Sequence, residues 1–175
     1  SRFLPVNFFG FSRLIAWADQ AIKWLGQQSM AYGQSVEITS FFNWVHVWNK
    51  GAAFSLFADG GGWQRYFFIA IAVVVSAVLV KLIRDSHQRT EALAYAMVLG
   101  GALGNVIDRV FRGHVVDYLD FHWQSWHWPA FNLADVFIVL GVIMILVTGF
   151  TAEKGVGNNT KNSQNDSFSG GRNHR

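Results

Sequence analysis

The chain has 175 residues, of which 51% are hydrophobic, 16% aromatic and only 14% charged, with a net charge of +3. So little charge, against about 25% in an ordinary soluble domain, points to lipid as the solvent. The absence of cysteine excludes a disulfide scaffold, a thiol nucleophile and Cys-bound zinc, and the few scattered basic residues give no ground for nucleic-acid binding.

A spanning helix needs about 20 mainly apolar residues. The first candidate, residues 6–25, is interrupted by Arg13, Asp19 and Lys23. Asp19 and Lys23 stand four apart, share a helix face and can pair. This stretch lacks the charge-free core and small-residue cleavage site of a removed leader, and Ser1 in place of Met reads as a processed or trimmed start. Residues 27–64 are not a simple loop: Ser35 to Trp48 is rich in β-branched and aromatic residues with a rough period of two, which predicts strands, and Asp59 to Gly62 is a turn or hinge. Residues 66–83, 91–108 and 132–151 are the remaining spans. Gly100 and Gly104 with Ala96 give the third a small face suited to close helix packing. From 153 to 175 the chain is polar and rich in Gly, Asn and Ser, the composition of a disordered tail. The sequence therefore predicts a membrane all-α protein with a small β element, residues 1–152 forming the integral membrane domain.

Orientation follows from Lys and Arg near the span ends. The link between spans two and three holds Lys81, Arg84 and Arg89, the tail adds Lys154, Lys161, Arg172 and Arg175, and the start adds Arg2, whereas residues 26–64 carry Lys50 alone. Both termini and the link should face the cytoplasm, and the strand-rich segment should lie outside. Arg109 and Arg112 break this pattern and so have other duties. Trp44, Trp48, Trp63, Trp123, Trp126 and Trp128 fall on the outer side, as an interfacial belt or as the lining of a lipid-facing groove.

Polar residues at membrane depth are costly and mark function by default. Three clusters stand out: Asn49-Lys50-Gly51-Ala52-Ala53-Phe54; Gly104-Asn105 with Asp108-Arg109 and then Gly113 to Phe121; and Phe131-Asn132-Leu133-Ala134-Asp135. Asp117 and Asp135 sit at the outer mouths of spans. Two carboxylates held close share a proton, supplying a base to activate water and an acid for a leaving amine. Taken singly, each residue has a plainer reading. Asp135 caps a helix, Asp120 is structural or solvent-facing, Asp108 and Arg109 form a local or interhelical ion pair, and Asn49, Asn105 and Asn132 are turn or cap residues. His114, His122 and His127 lack metal-ligand spacing.

In order along the chain, Asp19-Gln20 with Lys23, Asn49 to Phe54, Gly101 to Asn105 with Asp108-Arg109, Gly113 to Tyr118, and Phe131 to Asp135 resemble the lipoprotein signal peptidases (signal peptidase II) across roughly residues 14–150. The resemblance implies four transmembrane helices with a periplasmic strand-rich element. It also implies an aspartic endopeptidase of the bacterial inner membrane, which removes signal peptides from diacylglyceryl-modified prolipoproteins just before the lipid-modified cysteine. On that pattern Asp117 and Asp135 are the catalytic dyad. Asp19, Lys23, Asn49, Gly51, Asn105, Arg109 and Asn132 are supporting and substrate-binding positions. No metal or other cofactor is implied, and the partners are prolipoprotein substrates, membrane lipids and globomycin-type inhibitors. Tyr118 stands where Phe is common, adding a hydroxyl. Two alternatives remain: a Ser55–Lys50 dyad, and a non-enzymatic membrane protein whose carboxylates relay protons. A relay would need a polar route to the cytoplasmic side, where the sequence offers only the link residues Asp85 and Glu91.

Overall fold

The computed structural model describes residues 4–49 and 62–169. Lys50, Gly51, Ser55 and most of the Asp59–Gly62 turn therefore lie outside the described residues. Helix α1 (Val6–Ser29) is followed by strands β1 (Ser35–Thr39) and β2 (Phe42–Asn49), helices α2 (Trp63–Asp85) and α3 (Arg89–Phe111), strands β3 (Val115–Trp123) and β4 (Trp126–His127), and helix α4 (Leu133–Ser169).

The distribution of side chains is the reverse of a water-soluble domain. Ser12, Asp19, Lys23, Asn105, Asp108 and Asn132 are buried, while Val73, Val74, Val78, Val139, Leu146 and Val147 are exposed. An extended exposed apolar surface of this kind needs a non-aqueous neighbour. Helices α2, α3 and the stretch of α4 from Leu133 to Gln164 are each long and apolar enough to cross a membrane. Helix α1, at 24 residues, has the length, but its polar residues make it less apolar. Its buried positions, Ser12, Ile15, Ala16, Asp19, Lys23 and Gly26, recur at three- and four-residue steps and so form one face.

That face packs on α3, which lies among the other three helices. Small residues make the approach close, as the sequence predicted. A Cβ on Gly100 would meet Ser12 O and Ile15 Cβ of α1 at 2.8 Å, while Gly101 turns to Ala134 and Ile138 of α4. Ser12 Oγ donates to Ala96 O at 2.7 Å across the same contact. Helix α3 ends at Phe111 with Arg112 as its C-cap, and the next residue, Gly113, has a φ of +81°, the left-handed conformation that a helix terminus commonly assigns to glycine. Its N–H returns to Asp108 O at 3.2 Å.

The four strands form one antiparallel sheet in the order β1-β2-β3-β4. Asp117 pairs with Val47 and Asp120 with Asn43, with a bulge between Trp44 and Val47. Beyond β4, Phe131 N donates to Leu119 O at 3.0 Å, and Phe131 O accepts from Tyr118 N and Leu119 N at 3.0 and 2.9 Å. The segment leading into α4 is thereby pinned beside β3. This clamp carries Asn132 and Asp135 to the side of Asp117.

Of the tryptophans expected on the outer side, Trp48, Trp63, Trp123, Trp126 and Trp128 are exposed, whereas Trp44 stacks on Tyr118 at 5.0 Å. Helix α4 runs on to Ser169, so residues 153–169, whose composition predicts a disordered tail, are helical instead; the backbone satisfies itself locally, while residues 153–164 are exposed throughout.

Candidate active site

Four backbone N–H groups open every helix without an intrahelical partner, and at α4 these groups build the site. Leu133 N donates to Tyr118 Oη at 2.8 Å, Ala134 N to Asp19 Oδ1 at 3.2 Å and Asp135 N to Asn132 Oδ1 at 2.9 Å. Asn132 N in turn donates to Asp135 Oδ2 at 3.2 Å. Asn132 is thus the N-cap, and Asp135, three residues on, returns the bond in the reciprocal manner of a capping box. This corrects the plain reading in which Asp135 itself is the cap.

The Asn132 amide faces the other way as well. Its Nδ2 donates to Asp117 Oδ1 at 2.9 Å, to Val116 O at 3.2 Å and to Asn105 Oδ1 at 3.1 Å. Asn105 Nδ2 donates to Asp135 Oδ1 at 2.9 Å. Asn105 and Asn132 therefore join the two aspartates in one network, and the Asn49 side chain adds a hydrogen bond to Asp117 from β2. Burial, followed by the charge of Asp135, pushes the Asp117 carboxyl up to about 7, while Lys23, Asn49 and Asn132 pull it back. The carboxyl is therefore poised to hold or give a proton near neutrality.

Behind the pair lies a buried cluster of paired charges. Lys23 Nζ is 2.6 Å from Asp19 Oδ2 and 2.9 Å from Asp108 Oδ2, all three side chains wholly buried, and it donates to Asn105 Oδ1 at 3.3 Å. The Asp19–Lys23 pairing is the one the sequence predicts. Asp108 does not pair with Arg109: its Oδ1 accepts from Arg112 at 2.6 Å and from Gln20 at 2.7 Å, and its Oδ2 from Val116 N at 2.9 Å. The helical period explains the difference, since Arg112 follows Asp108 by four residues whereas Arg109 turns to another face. There its guanidinium sits over the Phe68 ring, 5.0 Å from the centroid, and its charge acts on Asp135, Asp108 and Asp117.

Of the two plain readings of Asp120, the structural one holds and the solvent-facing one does not. It is buried to 9% exposure, accepting from Asn43 at 3.1 Å and lying 2.9 Å from His127 Nδ1. Its network belongs to the strands and is separate from the Asp117–Asp135 pair. His114 stacks on Trp48 and His122 on His127, at 4.1 and 4.9 Å.

Gln20 and Tyr118 are the contributors that sequence reasoning undervalued. Gln20 lies three residues before Lys23, on the same helix face. Tyr118 Oη, besides accepting from Leu133 N, is 3.4 Å from Asp19 Oδ1. Burial and the nearby Asp19 hold the phenol far above its ordinary range, so it stays neutral and can donate.

Polar side chains gathered inside an apolar helical body, with a carboxylate poised near neutrality, describe a membrane enzyme. Solved structures agree. The fold resembles that of a bacterial membrane enzyme solved by the in meso method at 2.3 Å, with TM-score 0.77, 27% identity, and coverage of 88% of this chain and 93% of that one. A second such structure, at 1.9 Å, gives 0.75 and 28% over 84% and 94%. Residues 11–151 match the family described as signal peptidase (SPase) II. The lipoprotein signal peptidase of Serratia marcescens is 62% identical over 86% of this chain and 88% of its own length. That of Aeromonas hydrophila subsp. hydrophila is 54% identical over 78% and 83%. The chain belongs to the signal peptidase II family of bacterial membrane peptidases.

Proposed function

We propose that the chain is an aspartic endopeptidase that removes signal peptides from diacylglyceryl-modified prolipoproteins, cutting just before the lipid-modified cysteine, with Asp117 and Asp135 as its catalytic pair. The observation that carries this reading is the Asn105–Asn132 bridge, which ties the two carboxylates into one network. In such a pair, the ionised carboxylate takes a proton from water as the water oxygen attacks the scissile carbonyl. The protonated partner hydrogen-bonds the carbonyl oxygen as it gains charge. Collapse of the tetrahedral intermediate breaks the C–N bond, and a proton passes to the leaving amine of the cysteine.

An apolar cleft of about 590 Å³ opens at Asp135, lined by Trp128, Pro129, Phe131, Val136 and Val139 among others. Its chemistry suits the acyl chains of a lipid-modified substrate or of the surrounding membrane. Helix α1 is the fourth span in this reading: its 24 residues reach about 36 Å at 1.5 Å per residue, and its buried charges are paired inside the bundle. The Lys81, Arg84 and Arg89 link then faces the cytoplasm with both termini and the polar 153–175 tail, in the bacterial inner membrane. The sheet and the site face the periplasm, where a translocated signal peptide presents its cleavage point.

The test uses purified protein in detergent with a diacylglyceryl prolipoprotein. The wild-type chain cleaves it, globomycin competes with substrate, and Asp117→Asn and Asp135→Asn each lower turnover on the order of 10³-fold or more. Full activity in either variant removes the pair from catalysis.

A further inference from the structure

We infer that the Lys23–Asn105 hydrogen-bond chain holds Asp135 as the ionised, water-activating member of the pair and leaves the proton on Asp117. This rests on the reading of these two aspartates as the catalytic pair. Lys23 is the fixed point, because an ammonium group only donates. Anchored by Asp19 and Asp108, it takes Asn105 Oδ1 as its acceptor, and Asn132 Nδ2 claims the same oxygen. The Asn105 amide is therefore turned with its NH₂ towards Asp135 Oδ1, at 2.9 Å. An NH₂ group cannot accept, so this oxygen of Asp135 must. The other oxygen, Oδ2, faces Asn132 N–H, a backbone donor with no other role available to it. Both oxygens of Asp135 thus accept a hydrogen bond, which favours its ionised form.

Asp135 also stands in the first turn of α4, where the helix dipole favours an anion. Arg109 acts more strongly on Asp135 than on Asp117. Asp117 rides on a strand, which has little dipole of that kind, and is 3% exposed. The proton therefore rests on Asp117, the more deeply buried carboxyl, and the charge on Asp135, which is half-buried in the first turn of α4.

The surrounding charges agree with one anion in the pair. Among the described residues, Lys23, Arg109 and Arg112 supply three positive charges, and Asp19 and Asp108 supply two negative ones. A single ionised carboxylate on the pair brings the cluster to neutrality. Two would leave an excess negative charge in a shielded site, which is unfavourable.

Isotope-edited infrared spectroscopy of the full chain in detergent, with ¹³C-labelled aspartate carboxyl groups, tests the placement without requiring turnover. Near pH 6 the wild type should show a protonated-carboxyl carbonyl band that Asp117→Asn abolishes. Asp135→Asn should keep the band and move its disappearance to lower pH, because a like charge has been removed. A band that survives Asp117→Asn and vanishes in Asp135→Asn reverses the assignment, and no such band in the wild type overturns it. The peptidase reading fails separately, through cleavage by the Asn variants. Asn105→Ala supplies a kinetic readout: the acid limb of kcat/KM should move up by about one pH unit with the alkaline limb fixed. An unmoved acid limb, or movement of the alkaline limb instead, also overturns the assignment.

Discussion

Lys23 on α1 and Asp108 on α3 meet at 2.9 Å with both side chains wholly shielded, and Asp19 closes the cluster at 2.6 Å from the same ammonium. Removing one member of a buried ion pair leaves an uncompensated charge, at a cost of about 3–5 kcal/mol. Lys23→Met should accordingly lower the thermal midpoint in detergent sharply. Asp19→Asn in the same chain should recover part of the loss, a coupling that a double-mutant cycle measures. Additive losses would mean that the cluster does not act as a unit.

Glycine positions separate packing from propensity. A Cβ at Gly104 would meet Asp19 Oδ2 at 2.7 Å, and one at Gly100 would meet Ser12 backbone oxygen at 2.8 Å. Overpacking of this kind costs about 1–3 kcal/mol, so Gly100→Ala and Gly104→Ala should destabilise the protein. Gly104→Ala should also reduce turnover, because Asp19 supports the start of α4. At Gly10 a Cβ meets nothing within 4 Å, and Gly10→Ala should be neutral or add up to about 1 kcal/mol. Equal midpoints for the three variants would contradict the close contact of α1 with α3.

These contrasts show what the sequence made legible. Long apolar runs locate α2, α3 and the apolar part of α4, because in lipid the backbone must satisfy itself and a helix does so locally. The i, i+4 spacing foretells the Asp19–Lys23 pair, and the small face of α3 foretells its close packing. For Asp108 the interhelical alternative holds, through Lys23 of α1, while a local pair with Arg109 does not form, because adjacency in sequence is not adjacency on a helix. Tyr118 was undervalued for a different reason: its hydroxyl acts on Leu133 and Asp19, residues brought to it by the β3 clamp on Phe131. A long-range contact of that kind leaves no periodic trace.

Tyr118→Phe isolates that hydroxyl. The substitution keeps the ring, and with it the stack on Trp44 at 5.0 Å, but it strips Leu133 N–H of its acceptor at 2.8 Å. A helix-opening donor left without a partner costs about 1–3 kcal/mol. The variant should lose stability by that order while still turning over substrate, because Asn132 and Asn105 continue to hold the two aspartates. Thermal unfolding in detergent and a cleavage assay on the same sample check both parts. An unchanged midpoint would show that the hydroxyl contributes nothing to the start of α4.

Asp117 gives the molecule a pH signature whose direction is fixed. Its carboxyl titrates at about 7 in the fold, against the ordinary value of 3.8, chiefly because burial disfavours the charge. Between those two values the folded state binds the proton that the unfolded chain has released. Stability therefore falls as pH rises through this window, with the full penalty present above the folded value. Asparagine carries no charge to bury, so Asp117→Asn should match the wild type near pH 3.5 and exceed it at pH 8. The difference is on the order of a few kcal/mol at about 1.4 kcal/mol per pH unit. Thermal midpoints of both proteins across pH 3.5–8 in one detergent provide the measurement. Parallel curves would mean that Asp117 is not held protonated by its surroundings, and would remove the physical basis for its role as the acid.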